Sequence, residues 1–165
     1  MKHQKGLILI ELIMTLVLIG IIATFAGFFI YNGINGYLRA KYITTESMDT
    51  QMALDRISLE LRDITDINPT PGPATITYKS ETLTGTRTLK YDANTDTIII
   101  RVDPNDYALL ENVSSFNLSY DYLNLDDDTA PVLEVANIDV AFNIADIGTE
   151  FKTKIFPRNL VKKTW

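Results

Sequence analysis

An uninterrupted apolar run near the amino terminus constrains this chain more than any other feature. The run covers 24 residues, from Leu7 to Ile30. All of them are strongly apolar except Glu11, two threonines and some glycine and alanine residues. As a helix it measures about 36 Å, which is enough to cross a bilayer with some tilt. Secretory signal peptides have shorter apolar regions, of about 7–15 residues, that end at a small-residue cleavage site. No convincing site of that kind is found, so the run predicts a membrane-spanning helix.

Glu11 is the feature that a plain membrane anchor leaves unexplained. A carboxylate near the bilayer core costs on the order of several kcal/mol unless it is protonated or paired, so it indicates a functional partner. If the chain were cut after Gly6, the new α-amino group of Leu7 would lie about one turn from Glu11, roughly 6 Å along the axis. Between neighbouring helices displaced by that amount, amine and carboxylate would attract each other strongly at low dielectric. Glu11 therefore predicts a pairing that holds packed helices in register.

The segment from Lys5 to Glu11 resembles the class III leader of type IV pilins and type II secretion pseudopilins. The resemblance implies that a prepilin peptidase cuts between Gly6 and Leu7 and methylates Leu7, and that Glu11 is the assembly glutamate. It implies other pilin or pseudopilin subunits and an inner-membrane assembly platform as partners. It also implies a bacterial, single-pass inner-membrane protein with a periplasmic carboxyl-terminal domain, which then enters a pilus or pseudopilus.

Two positions depart from the commonest pattern of that family. Leu7 stands where Phe is usual, and Phe28 stands where major pilins usually carry a helix-kinking Pro. The stretches "ALDRISLELRDI" and "FKTKIFPRNL" are similar to those of J-type pseudopilins and W-type minor pilins. The resemblance therefore indicates a minor subunit.

Composition agrees with a membrane helix followed by one soluble domain. The net charge of −6 becomes −8 if residues 1–6, with Lys2 and Lys5, are removed. Because phosphate binding depends on clustered Lys and Arg, this acidity argues against nucleic acid as a partner. The chain has no Cys, and its single His, His3, lies in the expected leader. No nucleophile–base arrangement emerges from the remaining side chains, so we expect no enzyme.

Beyond the apolar run, residues 31–67 have the pattern of an amphipathic helix. Apolar side chains recur at helical spacing and predict a stripe that lies on a core. Arg56 and Glu60 are expected to pair on the solvent side. Gly33 and Gly36 indicate either a loose junction or an extensible segment, with neither favoured. The stripe consists of Leu54, Ile57, Leu61 and Ile64.

After the proline-rich stretch that begins at Asn68, the apolar period changes to two. Five or six strands are predicted in "ATITYK", in the hairpin "TRTLKYDANTDTIIIRV" with its turn at Asp92 to Asp96, and in "SSFNLSYDYLN", "ANIDVAFNI" and "EFKTKIF". Half-buried antiparallel strands require a cover on one face, which the stripe would provide. The chain is thus expected to be α+β and pilin-like, with a leader (1–6), a transmembrane helix (7–30), an amphipathic helix (31–67) and an antiparallel β-sheet domain (68–165).

One cluster of carboxylates has ligands of the kind that calcium takes. Asp126, Asp127 and Asp128 lie in succession, with Asp121 nearby. The cluster lacks the glycine turn and the spaced ligands of an EF-hand loop, so a solvated loop is the preferred interpretation and no cofactor is expected.

Two functions from different classes remain. The first is a structural subunit, a minor pilin or pseudopilin that is processed by prepilin peptidase and assembles into or primes a type IV pilus or type II secretion pseudopilus. The second is a membrane-tethered extracytoplasmic module whose sheet domain binds a ligand. Gly6 and Glu11 distinguish them, because a simple anchor needs neither residue.

Overall fold

The structure, a computed structural model, describes residues 4–68, 71–124, 134–145, 147–159 and 161–163. It contains one helix, α1 (Gln4–Arg62), followed by strands only among these residues. The strands are β1 (Ile64–Ile67), β2 (Thr75–Ser80), β3 (Arg87–Asp92), β4 (Thr97–Val102), β5 (Asn105–Leu110), β6 (Val113–Leu123), β7 (Glu134–Ile144), β8 (Glu150–Ile155) and β9 (Lys162–Lys163). The expected α+β class is confirmed.

The strands form one sheet in the order β5-β4-β3-β2-β1-β9-β7-β6, with β8 also paired to β7. Neighbouring strands are antiparallel, except that β1 and β9 run parallel. The turn between β3 and β4 lies where the hairpin was predicted. β5 and β6 are the edge strands of this order, so each of them has only one neighbouring strand in it.

Two compact units divide the chain, residues 1–45 and residues 46–165. In the second unit the last turns of α1 lie on the sheet, because their apolar residues share one buried cluster with the strands. Leu54, Ile57, Leu61 and Ile64 are all buried, as the predicted stripe requires. The alternating apolar residues of β7 are buried too, namely Ile138, Val140, Phe142 and Ile144.

The end of α1 differs from the expected boundary. The helix ends at Arg62, and residues 64–67, which were expected to be helical, form β1. The backbone N–H of Arg158 donates to the carbonyl of Arg62 at 2.8 Å, which satisfies one of the free carbonyls at the helix end. Ile64 fits the spacing of the helical stripe, but it is the first residue of β1 and is buried there. Apolar periodicity alone therefore does not show where the helix changes to a strand.

Three strands were not predicted, which raises the expected five or six to nine. β1 was assigned to the helix, and β9 has only two residues. β5 shows no alternation, because four of its six residues are exposed at the sheet edge. Its side chains therefore lack the period of two that identifies a half-buried strand.

Two leucines on α1 test the assignment of the buried face. Leu61 is fully buried, whereas Leu59 is 64% exposed. Leu61→Ala should lower the free energy of unfolding by about 2–5 kcal/mol, because it leaves a cavity in the core. Leu59→Ala should change it by less than about 0.5 kcal/mol. Urea unfolding of the fragment 31–165, which contains the whole buried cluster, measures both values. Equal losses in the two variants would contradict the assigned face.

Candidate functional site

The first turns of α1 contain the residues that the sequence identified for processing and assembly. Gly6 and Leu7 lie on this helix, and Glu11 follows Leu7 by four residues, or about 6 Å along the axis. Glu11 is exposed to solvent in the single chain. Leu7 and Glu11 therefore have the one-turn spacing along a helix that the pairing hypothesis assumed.

An apolar surface without a cover surrounds Glu11. Every side chain from Leu9 to Thr45 is exposed in the single chain. The helix has a stretch with a mean hydropathy of 2.6 of which no part is buried, and it is long and apolar enough to cross a membrane. Exposed apolar surface of this extent is typical of a membrane or protein contact. The long apolar helix thus has the properties of a membrane anchor.

Between Leu9 and Ile30 the chain has three polar side chains, and the helix itself satisfies two of them. The hydroxyls of Thr15 and Thr24 donate to the carbonyls of Leu12 and Gly20, at 2.9 and 2.8 Å. Such bonds to the preceding turn remove the cost of placing a hydroxyl in lipid. Glu11, by contrast, has no hydrogen bond or ion pair to any described residue. Its carboxylate is thus the one polar side chain between Leu9 and Ile30 that has no partner among the described residues.

The glycines of α1 do not interrupt it. The helix continues through Gly33 and Gly36, and a Cβ atom added at either position, or at Gly20 or Gly27, would meet nothing within 4 Å. The helix is also continuous at Phe28, where a proline would kink it. The two interpretations of Gly33 and Gly36, a loose junction or an extensible segment, are not separated by this geometry.

The candidate calcium ligands Asp126, Asp127 and Asp128 lie outside the described residues. Within the part of the chain that the structure describes, no group of three or more His, Cys, Asp or Glu side chains is arranged to hold a metal ion. Asp121, the nearby fourth carboxylate, accepts a hydrogen bond from the amide of Asn137 at 2.8 Å. The preference for a solvated loop over a calcium site therefore stays a prediction.

A second polar centre, which sequence reasoning missed, lies inside the sheet domain. The carboxylate of Glu60 is buried between α1 and the sheet. Arg87 donates to both of its oxygens, from Nε to Oε2 at 2.9 Å and from Nη2 to Oε1 at 2.8 Å. The hydroxyl of Tyr78 also donates to Oε2, and Arg56 reaches Oε1 at 2.7 Å. Glu60 thereby joins the helix to β2 and β3.

These contacts keep Glu60 charged despite its burial. Desolvation raises the pKa of Glu60, but the hydrogen bonds from Arg87 and Tyr78 and the charges of Arg87 and Arg56 outweigh it, so the pKa lies below its usual value. The hydrogen bond to Glu60 likewise raises the pKa of Arg87. Burial, followed by the charge of Glu60, raises the pKa of Tyr78 far above its ordinary value. The centre is thus a carboxylate held by two guanidinium groups and a neutral phenol.

The expectation that Arg56 and Glu60 pair on the solvent side is wrong for Glu60. The pair exists, but Glu60 is only 2% exposed whereas Arg56 is half exposed. Glu60 follows the buried Ile57 by three residues and so lies on the apolar stripe. Arg87 shares its strand face with the buried Leu89. An arginine at an inward position of a strand was the signal in the sequence, because a buried cation requires a carboxylate nearby.

One cavity borders this centre and a second adjoins the first, and both are lined by residues of the unit 46–165. The first has a volume of about 340 Å³ and is lined by Arg56, Glu60, Arg87, Ile100, Val102, Tyr107, Ala108 and Leu109. The second, of about 430 Å³, shares Ala108 and Leu109 with it and adds the carboxylates of Glu46, Asp49 and Glu111. The lining of the first cavity thus contains two cations and one anion, whereas that of the second contains three anions.

Comparison with known proteins adds no assignment: the chain matches no protein-family model, no curated protein and no solved structure.

The ion pair at Glu60 predicts a specific loss of stability. Arg87→Met should lower the free energy of unfolding by about 3–5 kcal/mol at neutral pH, because a buried carboxylate loses its main partner. Arg101→Met is the matched control and should have a far smaller effect, since Arg101 pairs with Asp106 at the surface.

The same pair predicts how acid acts on the domain. The pKa of Glu60 is lower in the folded chain than its ordinary value of 4.5, so its contribution is complete above that pH and is lost as the pH falls through the folded pKa. The stability difference between the wild type and Glu60→Gln should therefore narrow below about pH 4.5. Urea unfolding of the fragment 31–165 at a series of pH values measures the stability of both proteins. A stability difference that stays constant as the pH falls would contradict the prediction.

Proposed function

We propose that the chain is a minor pilin or pseudopilin, a structural subunit that assembles through its amino-terminal helix. The observation that carries the proposal is the state of Glu11. It is the single charged residue between Leu9 and Leu38, and it has no partner among the described residues of its own chain. A carboxylate at such a position is costly in lipid, so its presence favours a cationic partner on another subunit.

The exposed surface of α1 supports the same proposal. Residues 9–45 bury none of their side chains in the single chain, although most of them are apolar. In a membrane these side chains contact lipid, and in a filament they would contact the helices of other subunits. The leader resemblance provides the remaining elements: cleavage after Gly6 by a prepilin peptidase, methylation of Leu7, and an assembly platform in a bacterial inner membrane.

Within this proposal the amino group of Leu7 is the partner of Glu11. The two groups lie one turn apart on the same helix, so a neighbouring helix shifted by that turn would bring its Leu7 amine to the depth of this Glu11. Attraction between the two groups is strong where water is excluded. This arrangement explains why the acid and the proposed cleavage site have this spacing.

The cavity beside Arg87 favours the second candidate, a membrane-tethered module that binds a ligand. It has apolar walls and convergent charged groups, which is the usual composition of a ligand site. The two candidates are compatible, because the cavity is lined by residues 56–109 and the exposed apolar segment of α1 covers residues 9–45. Processing and assembly of the helix distinguish a filament subunit from a simple anchor.

Processing is tested at Gly6. The mature chain should begin at methylated Leu7, and Gly6→Ala should be cleaved far better than Gly6→Leu or Gly6→Glu. Intact mass measurement of protein purified from a membrane that contains prepilin peptidase reports the first residue and the methyl group. A wild-type chain that still begins at Met1 under these conditions would contradict the proposal.

Assembly is tested at Glu11. Glu11→Gln retains the size of the side chain and removes its charge, so cleavage and insertion should continue while incorporation into filaments falls. Glu11→Val should insert at least as well, because it removes a polar group from lipid, and should assemble no better. Shearing or crosslinking of filaments, in cells without the wild-type copy, measures incorporation.

Thr15→Val provides the matched control for assembly. Thr15 lies one turn beyond Glu11, and its hydroxyl is already bonded within the helix. This variant should therefore assemble normally. Normal assembly of both Glu11 variants would favour the simple anchor.

A further inference from the structure

A cavity in the sheet domain contains a charge that its own lining does not balance. The cavity of about 340 Å³ lies between α1 and strands β3, β4 and β5. Three ionisable side chains line it: the cations Arg56 and Arg87 and the anion Glu60. One carboxylate thus faces two guanidinium groups. The lining carries one net positive charge.

Glu60 has no capacity left for a further donor. Its Oε1 accepts a hydrogen bond from Arg87 and forms an ion pair with Arg56, and its Oε2 accepts from Arg87 and Tyr78. Arg87 is held rigidly by these bonds, and its side chain is only 9% exposed. Arg56 is half exposed and contacts Glu60 through a single nitrogen. The remaining donors of Arg56 are therefore available to a second anion.

The other walls of the cavity are apolar or aromatic. Ile100 and Val102 come from β4, while Tyr107, Ala108 and Leu109 come from the edge strand β5. Such walls favour a ligand with an apolar body, because its transfer from water is favourable. The volume is at the lower end of the range of ligand sites, so the body must be small.

The neighbouring cavity restricts the charge of the ligand. It shares Ala108 and Leu109 with the first cavity and is bordered by Glu46, Asp49 and Glu111. A second negative group that extended past the shared residues would be repelled there. The combination selects against dicarboxylates.

We propose that this cavity binds a small organic monoanion, a carboxylate on an aromatic or branched aliphatic body. The carboxylate lies against Arg56 at the positive side of the cavity, and the body contacts Tyr107, Leu109 and the β4 side chains. The site does not include the exposed segment 9–45 of α1, so it does not depend on the proposed filament role.

The probe for this site is para-fluorophenylacetate, with the neutral para-fluorophenylacetamide as its isosteric control. Full-length protein in phosphatidylcholine nanodiscs is titrated by fluorine NMR, and empty nanodiscs correct for partition into lipid. The carboxylate should bind with a dissociation constant of roughly 1 mM or lower. The amide should bind at least about fivefold more weakly, because it lacks the charge.

Two variants test the positive side and the walls separately. Arg56→Gln should weaken carboxylate binding about fivefold, whereas Arg101→Gln, which removes an equally exposed charge outside the cavity, should leave it unchanged. Ala108→Trp fills the space between the two cavities without altering any charge, and it should weaken the carboxylate and the amide alike. Because Ala108 is exposed, this variant does not disturb the core.

The outcomes that overturn the proposal are specific. Equal affinity for carboxylate and amide would show that the positive charge is not used. Equal weakening by Arg56→Gln and Arg101→Gln would reveal general attraction to the surface. Unchanged binding in Ala108→Trp would place the ligand elsewhere, and no binding at millimolar concentration would exclude the site.

Discussion

The buried contact between Glu60 and Arg87 is the interaction on which the sheet domain depends. It joins the end of α1 to β3, and the hydroxyl of Tyr78 joins the same carboxylate to β2, among surrounding apolar side chains. A buried ion pair adds little net stability compared with apolar packing, but removing one partner leaves an unpaired charge in the core. Its main effect is therefore to exclude other packings. A helix rotated or shifted by one residue would separate Glu60 from Arg87 and Tyr78 on the sheet, so the pair specifies one register of helix on sheet.

Most of the fold follows from apolar periodicity, and the exceptions have physical reasons. The stripe of α1 and the alternation in β7 and β8 are strong because each element has one buried face. Ile64 satisfies both periods, and β5 has no buried face along most of its length, so neither pattern marks these elements. Glu60 was misplaced for a different reason. A charged residue on an apolar stripe resembles the edge of a solvent face, and only Arg87, distant in sequence, shows that the carboxylate is buried.

The two candidate sites differ in what a sequence reveals. The residues of the amino-terminal site lie within a few positions of each other, so their spacing can be read directly. The cavity beside Arg87 is assembled from α1, β3, β4 and β5, and its residues come from positions 56 to 109. Its charge arises from the pairing of one carboxylate with two arginines, which depends on the fold. Local motifs are therefore accessible to sequence reasoning, whereas a site built across a sheet is not.

Four of the glycines of α1, Gly20, Gly27, Gly33 and Gly36, have a consequence for the surroundings of the helix. Each glycine lowers helix stability by about 1 kcal/mol relative to alanine, yet none is required by a neighbouring atom of the described chain. The bare backbone at these positions forms shallow hollows on a helix otherwise covered by large side chains. Such hollows accept the protruding side chain of an adjacent helix and bring two backbones close together in lipid. At these four positions α1 would therefore allow a neighbouring helix to approach closely.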